Sequence, residues 1–338
     1  MYTKPIAVRS VLSPNYLTYC LEKEYNIGEW LACVYLLKGL NDTYQVRTTS
    51  GLYILRLYRT EVRESDVDYE LSVLVQLADI LGGSKVSTGV SKPIYKQDNG
   101  LYSAINAPEG QRMAVLFEYV SGEEKMLQDA ESCFAFGKSA AQLHAAMDRI
   151  TVERPANRYQ LDTTCLIDES LGRIVQYIGE AHPHTSFLRK YGAALKAGIE
   201  HAAEQGLGWG MCHGDMHGNN NAFLVGDHYV HYDFEWTSPG WRAYDLAQVK
   251  ARKRQPAEEK RQELWDALMA GYRTVRSFSK HEELSVDLFI AVRRLWVMSL
   301  DVAFIPSDAG VLDYGDDWLN AYIDEFRTRI STIRSELD

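Results

Sequence analysis

Hydrophobic and polar residues alternate with a period of two over much of the chain between residues 31 and 120. This alternation, broken by turn signals, is typical of an antiparallel sheet. Turns at residues 39–42 and 50–51 separate three predicted strands. The predicted strands are residues 31–38, 43–49 and 52–58, two strands flanking residues 98–100, and one strand over residues 112–119.

Residues 66–81 instead carry apolar side chains at helical spacing, which predicts one helix inserted among the strands. Ser65 is the predicted N-cap, and Gly82 with Gly83 predicts the C-terminal end. After residue 122 helical periodicity dominates, as in residues 133–149 and 286–302, with one strand-turn-strand region near residues 222–234.

Together these patterns predict an α+β fold in two parts. Residues 1–120 are expected to form a sheet-rich N-terminal lobe with one inserted helix. Residues 121–338 are expected to form a larger, mainly helical lobe. Composition agrees with a folded chain, since 46% of the 338 residues are hydrophobic and 24% are charged.

The net charge of −10 at pH 7 and the absence of a basic run argue against nucleic acid as a partner. The acidity fits a cationic substrate, but without positional evidence it favours the generic acidic surface of a soluble protein. No stretch is long and apolar enough for a membrane span or a secretion signal, so neither a membrane partner nor export is expected. The cysteines are odd in number and lack CxxC spacing, which predicts reduced thiols and a cytoplasmic location: Cys20, Cys33, Cys133, Cys165 and Cys212.

The most informative stretch is residues 212–220, Cys-His-Gly-Asp-Met-His-Gly-Asn-Asn. Asp215 and Asn220 have the spacing of a kinase catalytic loop, in which the Asp accepts the proton of the substrate hydroxyl and the Asn holds Mg²⁺. A hairpin leads from there to Asp233, which lies where a second metal-binding carboxylate is expected. Phosphoryl transfer needs these groups because its transition state spreads negative charge that a metal ion neutralises.

Two other readings of this stretch remain. In the first, which the hairpin that follows the motif disfavours, His213, Asp215 and Asn220 are only polar residues that cap a loop. His213 and His217, four residues apart, would suit zinc on a helix, but the glycines beside them disfavour a helix, and no third soft ligand is evident.

The motif His-Gly-Asp-x-His-x-x-Asn at residues 213–220 is followed by Tyr-Asp-Phe-Glu at 232–235 and Tyr-Asp-Leu-Ala at 244–247. In these elements the chain resembles the superfamily of aminoglycoside phosphotransferases, choline kinases and type II homoserine kinases. The resemblance covers nearly the whole chain loosely and is specific at the catalytic core. One departure is Gly218, where the family often has Pro.

The resemblance implies a protein-kinase-like, two-lobed fold and roles for individual residues. Asp215 would be the catalytic base, and Asn220 and Asp233 would bind the metal. His213 would support the loop, and Asp245 would brace it from the following helix. His144, on the helix that the family packs under this loop, is expected to be structural.

A kinase also needs a cation on its third strand that holds the nucleotide phosphates, and a helix carboxylate that fixes this cation. Arg56 occupies that position, with Ile54 on the same face of the strand to line an adenine slot. Glu70 lies within an apolar helical stripe, where a carboxylate needs a partner, and Arg56 is the natural one. Alternatively, Glu70 lies at the edge of the stripe and reaches solvent.

Asn41 and Thr43 lie in the turn between the first two predicted strands, where a loop covering the phosphates is expected. Any hairpin would use the same residue types, so this assignment rests on position alone. By resemblance, Phe117 would lie behind the adenine, and Glu118 and Val120 would offer backbone groups to its edge.

The acceptor site of such folds is built by the C-terminal lobe, and acidic and aromatic residues there suit an amine-bearing substrate. A solvated acidic loop with tryptophan in the core explains the same residues equally well. The candidates are Glu235, Trp236, Asp301, Asp313, Tyr314, Asp316, Asp317 and Trp318.

Three functions are therefore open. The first is a kinase that uses ATP or GTP with Mg²⁺ to phosphorylate a hydroxyl of an amine-containing small molecule, preferably an antibiotic, or else a metabolite such as homoserine or choline. The second is a protein Ser/Thr kinase of the stress-response type. The third, a nucleotide-binding protein without catalysis, is disfavoured because a binding protein does not need the base Asp215.

Overall fold

A computed structural model of the chain describes residues 7–83, 86–124, 126–217, 222–225, 228–252, 257–308 and 314–337. The chain divides into two units. The first comprises the residues up to Glu123 together with Arg149–Arg158 and Ala222–Glu235. The second comprises Glu124–Asp148, Tyr159–Asn221 and Trp236–Asp338.

The first unit contains a five-stranded antiparallel sheet and a smaller sheet of three strands. The larger sheet has the order β1-β2-β3-β6-β5, and in the smaller sheet β4 runs parallel to β9, which pairs antiparallel with β8. The strands are β1 Trp30–Lys38, β2 Asp42–Thr48, β3 Leu52–Leu57, β4 Thr88–Val90, β5 Ser103–Ala107, β6 Gly110–Glu118, β8 Ala222–Val225 and β9 His228–His231.

Two helices accompany these sheets, α1 Pro14–Leu21 and α2 Glu64–Gly82. Helix α2 is the helix predicted over residues 66–81, and it ends at the predicted glycines. The predicted N-cap was wrong: Arg63, with extended backbone, caps the helix without a side-chain bond, and Ser65 lies inside the first turn. Acidic side chains at Glu64 and Asp66 favour the earlier start because they lie at the positive end of the helix dipole.

The second unit is mainly helical. It also contains one antiparallel strand pair and a single π-helical segment, Thr164–Glu169, which leads into α4. Its elements are α3 Ala130–Met147, α4 Ser170–Ile178, α5 Thr185–Glu204, β7 Trp209–Cys212, β10 Ser238–Trp241, α6 Arg242–Lys250, α7 Glu258–Arg273, α8 Lys280–Asp308 and α9 Asp316–Leu337.

The predicted combination of an N-terminal antiparallel sheet, one inserted helix and a helical C-terminal part is confirmed. The strand expected just before residues 98–100 was wrong. That segment forms only an isolated bridge between Pro93 and Phe117, because Pro lacks the N–H that a ladder requires. Across the described part of the chain, no helix combines the length and the apolar character needed to cross a membrane.

Helices α3 and α7 approach each other so closely that glycine is required on both sides. A Cβ on Gly137 of α3 would lie 2.0 Å from the carbonyl oxygen of Leu268 on α7. A Cβ on Gly271 of α7 would lie 2.0 Å from the carbonyl oxygen of Phe134 on α3. The obstacle is backbone in both cases, so the helices cannot relieve it by changing a rotamer.

We predict that Gly137→Ala lowers the free energy of unfolding by about 3 kcal/mol, because the added methyl group forces two packed helices apart. Urea unfolding of the full chain measures this change. Gly172→Ala in α4 is the matched control, since a Cβ there meets no atom within 4 Å. The control should be neutral or more stable by up to about 1 kcal/mol. Equal stability of the two variants would contradict the close helix contact.

Candidate active site

The guanidinium of Arg56, on β3, lies among carboxylates of the first unit. Its Nη1 donates to Glu70 Oε1 at 3.2 Å, and its Nη2 contacts Asp233 Oδ1. Glu235 Oε2 lies 3.6 Å from the same Nη2. The Arg56 side chain is only 15% exposed, so these contacts are partly shielded from water. Carboxylates from two distant parts of the sequence, helix α2 and residues 233–235, thus meet at one cation, and the contact between Arg56 and Glu70 is the pairing inferred from the apolar stripe.

Glu70 is buried on the inner face of α2, and Tyr58 also donates its hydroxyl to Glu70 Oε2 at 2.8 Å. Burial raises the pKa of Glu70 to about 7, against the lowering effect of Arg56 and with the neighbouring carboxylates of Glu235 and Asp233 adding to the rise. The ionised form of Glu70 therefore depends on Arg56.

Asp233 follows β9 and has a backbone φ of +68°, a left-handed conformation that is uncommon for residues other than glycine. Its side chain is 39% exposed, so the carboxylate that contacts Arg56 can also be reached by a ligand. Such strain is often found at functional positions. An accessible carboxylate oxygen fits a hard divalent cation that takes few protein ligands and completes its shell with water and phosphate oxygens.

Within the described ranges no cluster of three or more His, Cys, Asp or Glu side chains could hold a metal ion. A cation at Asp233 would therefore need oxygen ligands from other sources. Asn220, the other predicted metal ligand, lies outside the described residues.

Asn41 and Glu235 share a second buried cluster with Arg59, a residue that the sequence did not single out. Asn41 Nδ2 and Arg59 Nη1 each donate to one oxygen of Glu235, both at 2.5 Å. The backbone N–H of Arg59 donates to Asn41 Oδ1 at 3.1 Å. The amide of Asn41, expected at the phosphates, and the carboxylate of Glu235, expected at the acceptor, are thus engaged with each other in the first unit.

The segment expected to meet adenine lies at the end of β6. Ile54 of β3 is opposite Phe117, and the N–H of Glu118 donates to Lys92 O at 2.9 Å. The carbonyl of Val120 accepts from the N–H of Gly122 at 3.1 Å. Among the described residues the N–H of Val120 has no hydrogen-bond partner, so it can donate to the edge of a base. Thr43 of β2 is opposite Arg56, on the strand next to the phosphate-binding candidate.

In the second unit, the fully buried carboxylate of Asp245 holds the loop that follows β7. Its oxygens accept from the N–H of His213 at 2.7 Å, from the N–H of Gly214 at 2.9 Å, and from His144 Nε2 at 3.0 Å. Burial alone would raise the pKa of Asp245, but the hydrogen bonds from His144 and from the loop backbone outweigh it, so the pKa is lowered. The loop backbone is therefore tied to α6 through an ionised carboxylate.

Gly214 makes this loop geometry possible. Its φ is +83°, and a Cβ on it would lie 2.1 Å from the carbonyl oxygen of Trp236. Any other residue would be strained in backbone conformation and would collide with backbone atoms. The glycine of the His-Gly-Asp motif is thus required on two separate grounds.

Asp215 follows directly, and two donors contact its Oδ1: His217 Nε2 at 2.6 Å and Arg293 Nη2. Burial would raise the pKa of Asp215, but the Arg293 guanidinium, together with His217, lowers it well below the usual range. The carboxylate is consequently ionised at every pH at which the chain would work.

Arg293 was missed by the sequence analysis. It lies on α8 within the segment 286–302 that was predicted as a helix, beside the buried residues Val292 and Leu295. A cation inside an apolar helical stripe needs an anionic partner, which is the same signal that singled out Glu70.

The acceptor candidates of the second unit fall into separate groups. Trp236 packs edge-to-face on Trp296, with ring centroids 4.9 Å apart. Asp301 accepts from Trp318 Nε1 at 3.2 Å, and the Trp318 ring lies 5.5 Å from that of Tyr314. Asp316 and Asp317 are exposed at the start of α9, and Asp313 lies outside the described residues.

Known proteins are similar in sequence to this chain over most of its length. Residues 37–278 match the sequence profile of the phosphotransferase enzyme family. An uncharacterized protein of Deinococcus radiodurans is 34% identical over 298 residues, covering 87% of this chain and 83% of that protein. A homoserine kinase of Chelativorans sp. is 27% identical over 309 residues, covering 90% of each chain.

Solved structures share the fold. An amicoumacin kinase in complex with AMP-PNP, Ca²⁺ and Ami superposes with a TM-score of 0.71 at 17% identity, covering 94% of this chain and 93% of that one. A microcompartment-associated aminopropanol kinase gives a TM-score of 0.69 at 20% identity, covering 96% of each chain. These likenesses confirm the predicted protein-kinase-like fold and the resemblance seen in the catalytic motifs.

His144 gives the loop a measurable dependence on pH. It is fully buried; its Nδ1 accepts from Tyr272 at 2.8 Å while Nε2 donates to Asp245, and burial, reinforced by Arg242, lowers its pKa to about 4. Between pH 6.5 and 4 the unfolded chain takes up a proton that the folded chain does not. We therefore predict that His144 causes a loss of stability as the pH falls through this range, of up to about 1.4 kcal/mol per pH unit.

Urea unfolding between pH 7 and 4.5 measures this slope. His144→Gln should flatten it, because the residue no longer titrates, whereas His201→Gln on the exposed side of α5 should leave it as in the wild type. An identical slope in the wild type and in His144→Gln would show that His144 is protonated in the folded chain.

Proposed function

The chain belongs to the phosphotransferase enzyme family and is a small-molecule kinase, and we propose that it transfers the γ-phosphate of ATP or GTP to a hydroxyl of an amine-containing acceptor. The observation that carries the proposal is the contact of Arg56 with both Glu70 and Asp233. A kinase site requires a phosphate-binding cation, a helix carboxylate that fixes it and a metal-binding carboxylate, and these three residues have that chemistry.

On the nucleotide side, Arg56 would hold the phosphates, and the free N–H of Val120 with the carbonyl of Glu118 would meet the adenine edge. Asp233, together with Asn220, would hold the divalent cation, which we expect to be Mg²⁺. When bound, the cation supplies charge neutralisation for the transferred group. The Arg56 side chain would not have to move to bind the phosphates, because its ion pair with Glu70 of α2 already holds it in place.

On the acceptor side, Asp215 would orient the attacking hydroxyl. The acceptor oxygen forms a bond to the γ-phosphorus, the bond to the β-bridging oxygen breaks, and the nucleoside diphosphate leaves. The hydroxyl proton goes to Asp215. Because its pKa is far below neutrality, Asp215 is a weak base, so proton transfer is expected late in the step and orientation is its main contribution.

Asp301, Tyr314 and Trp318 support an amine-bearing acceptor. A half-buried carboxylate lies next to aromatic rings, and this combination binds ammonium groups through charge and through cation–π contacts. Further ring contacts of Trp318, with Tyr322 at 5.5 Å and Tyr177 at 6.2 Å between centroids, extend the aromatic surface. Trp236 would contribute an apolar wall at its contact with Trp296.

Two acceptor classes are supported by different relatives. An antibiotic, the class preferred from the sequence, is supported by the fold shared with amicoumacin kinase. A small metabolite with an amino and a hydroxyl group is supported by the homoserine kinase, with which this chain shares more residues, and by the fold of the aminopropanol kinase. Both classes agree with one hydroxyl acceptor that carries an amine.

The test is transfer of labelled γ-phosphate from ATP and from GTP, with Mg²⁺, to a panel of acceptors. The panel contains aminoglycosides, other amine-containing antibiotics, homoserine, aminopropanol, choline and a generic protein substrate. We expect one small molecule to be labelled, and it names the acceptor class. Labelling of protein alone would replace the proposal by a stress-response type of protein kinase, and binding of nucleotide with no labelling would reject these acceptors.

The two proposed carboxylate roles predict different defects. Asp215→Asn should lower transfer by about a hundredfold or more while leaving the affinity for magnesium ATP unchanged, because only the acceptor loses its partner. Asp233→Asn should weaken the binding of magnesium ATP itself. Calorimetric titration and the transfer assay together measure both, with Asp324→Asn, an exposed carboxylate of α9, as control. Equal loss of nucleotide affinity in the first two variants would overturn this division.

A further inference from the structure

Arg293 contacts the proposed base directly, and no sequence motif points to it. We propose that Arg293 is a positioning residue for Asp215, which holds the carboxylate in the orientation that receives the acceptor hydroxyl. This inference rests on the proposed function, because it assumes that Asp215 performs that step. It adds helix α8 to the parts of the chain on which the reaction depends.

The contacts of Arg293 leave its guanidinium in a single orientation. Nη2 contacts Asp215 Oδ1, while Nη1 donates to Gly214 O at 3.2 Å and to Tyr244 Oη at 3.0 Å. The guanidinium also stacks over the Trp296 ring, with Cζ 4.2 Å from the centroid. The side chain is only 13% exposed. A planar guanidinium with partners on both terminal nitrogens, Nη1 and Nη2, and an aromatic ring on its face has little freedom to rotate.

These contacts tie the carboxylate of Asp215 to its own backbone. Gly214 O belongs to the peptide group that joins Gly214 to Asp215, and the same guanidinium binds this oxygen and the Asp215 side chain. Tyr244 is fully buried on α6, next to the loop-holding Asp245. Arg293 therefore fixes the rotation of the Asp215 side chain relative to a backbone that Asp245 already holds.

Arg293 also sets the charge around Asp215. Among the described residues, the charged or titratable groups that face this carboxylate include Arg293, His217 and His213, with the Tyr244 hydroxyl beside the guanidinium. Arg293 is the only one of these that is permanently positive. Without it the pKa of Asp215 would rise, because the largest of the contributions that oppose the effect of burial would be lost.

A competing explanation is that Arg293 only packs α8 against the loop. A purely structural role would change the stability of the chain but leave the turnover of the folded fraction and its pH dependence as they were. Positioning predicts a fall in kcat with an unchanged affinity for magnesium ATP. The two explanations thus differ in measurements made on folded protein.

The experiment compares Arg293→Gln and Arg293→Lys with Arg294→Gln in the full chain. Arg294 is the matched control because it is the next residue on α8, is also paired with a carboxylate, Glu325 at 2.8 Å, and lies over an aromatic ring, that of Tyr322. The probe is magnesium ATP, with turnover followed as ADP release, both with water as the acceptor and with the molecule that the panel labels. Urea unfolding and calorimetric titration are run on the same preparations.

We expect Arg293→Gln to lower kcat roughly a hundredfold, the cost typical of a misplaced catalytic group, without a change in the dissociation constant of magnesium ATP. The acid limb of its pH profile should move to higher pH, since the pKa of Asp215 rises. Arg293→Lys keeps the charge but not the fork and should lose only about tenfold. Arg294→Gln should retain the wild-type kcat and pH profile.

The inference is overturned if folded Arg293→Gln matches Arg294→Gln in kcat and in the position of the acid limb. If Arg293→Gln does not fold, Arg293→Lys decides alone, and wild-type kcat and pH profile in that variant overturn the inference. Failure of the proposed function looks different, because Asp215→Asn would then keep wild-type turnover. If Asp215→Asn loses turnover but the Arg293 variants do not, the positioning role of Arg293 is rejected while the proposed function stands.

Discussion

The carboxylate of Asp245 is the point on which the loop after β7 depends. A buried carboxylate is costly unless several donors compensate it, and Asp245 accepts from two consecutive backbone N–H groups and from the His144 imidazole. The same hydrogen bonds that keep Asp245 ionised therefore fix the backbone of His213 and Gly214. Gly214 also adopts a positive φ and packs closely against Trp236 O. The backbone position from which the Asp215 side chain extends is therefore set by the fold itself.

Both proposed functional carboxylates are paired with arginine. Arg56 contacts Asp233 in one unit, and Arg293 contacts Asp215 in the other. Ion pairs of this kind contribute little net stability, because water screens the attraction where a partner is exposed and desolvation offsets it where a partner is buried, so stability alone does not explain them. The pair with Arg293 keeps Asp215 ionised, and both pairs hold their carboxylates in a defined orientation, which lowers the reorganisation required when charge develops in a reaction.

The elements and residues defined by short sequence patterns could be predicted. Alternation with turn signals indicated the strands around Arg56, and one carboxylate in an apolar stripe indicated the pairing of Glu70 with Arg56 across fourteen positions. Contacts between residues far apart in the sequence could not be predicted from such local patterns. Arg293 lies 78 positions from Asp215, and Arg59 lies 176 positions from Glu235, so only the folded chain selects these partners. Local patterns also failed where chain geometry decided, as at Ser65, whose capping chemistry is unused because the helix begins at Glu64, two residues before the predicted start.

The choice of arginine at position 56 follows from the number of partners. One nitrogen, Nη1, contacts Glu70, while the other, Nη2, contacts Asp233 and lies near Glu235. A lysine has a single nitrogen and could not hold the helix carboxylate while it offers a separate donor to another anion. Under the proposed function, Arg56 would exchange its contact with Asp233 for a phosphate oxygen while its contact with Glu70 persists. The exchange would replace one anion by another at the same nitrogen, so it would require no new buried charge, and it would leave the carboxylate of Asp233 available to a cation bound with the phosphates.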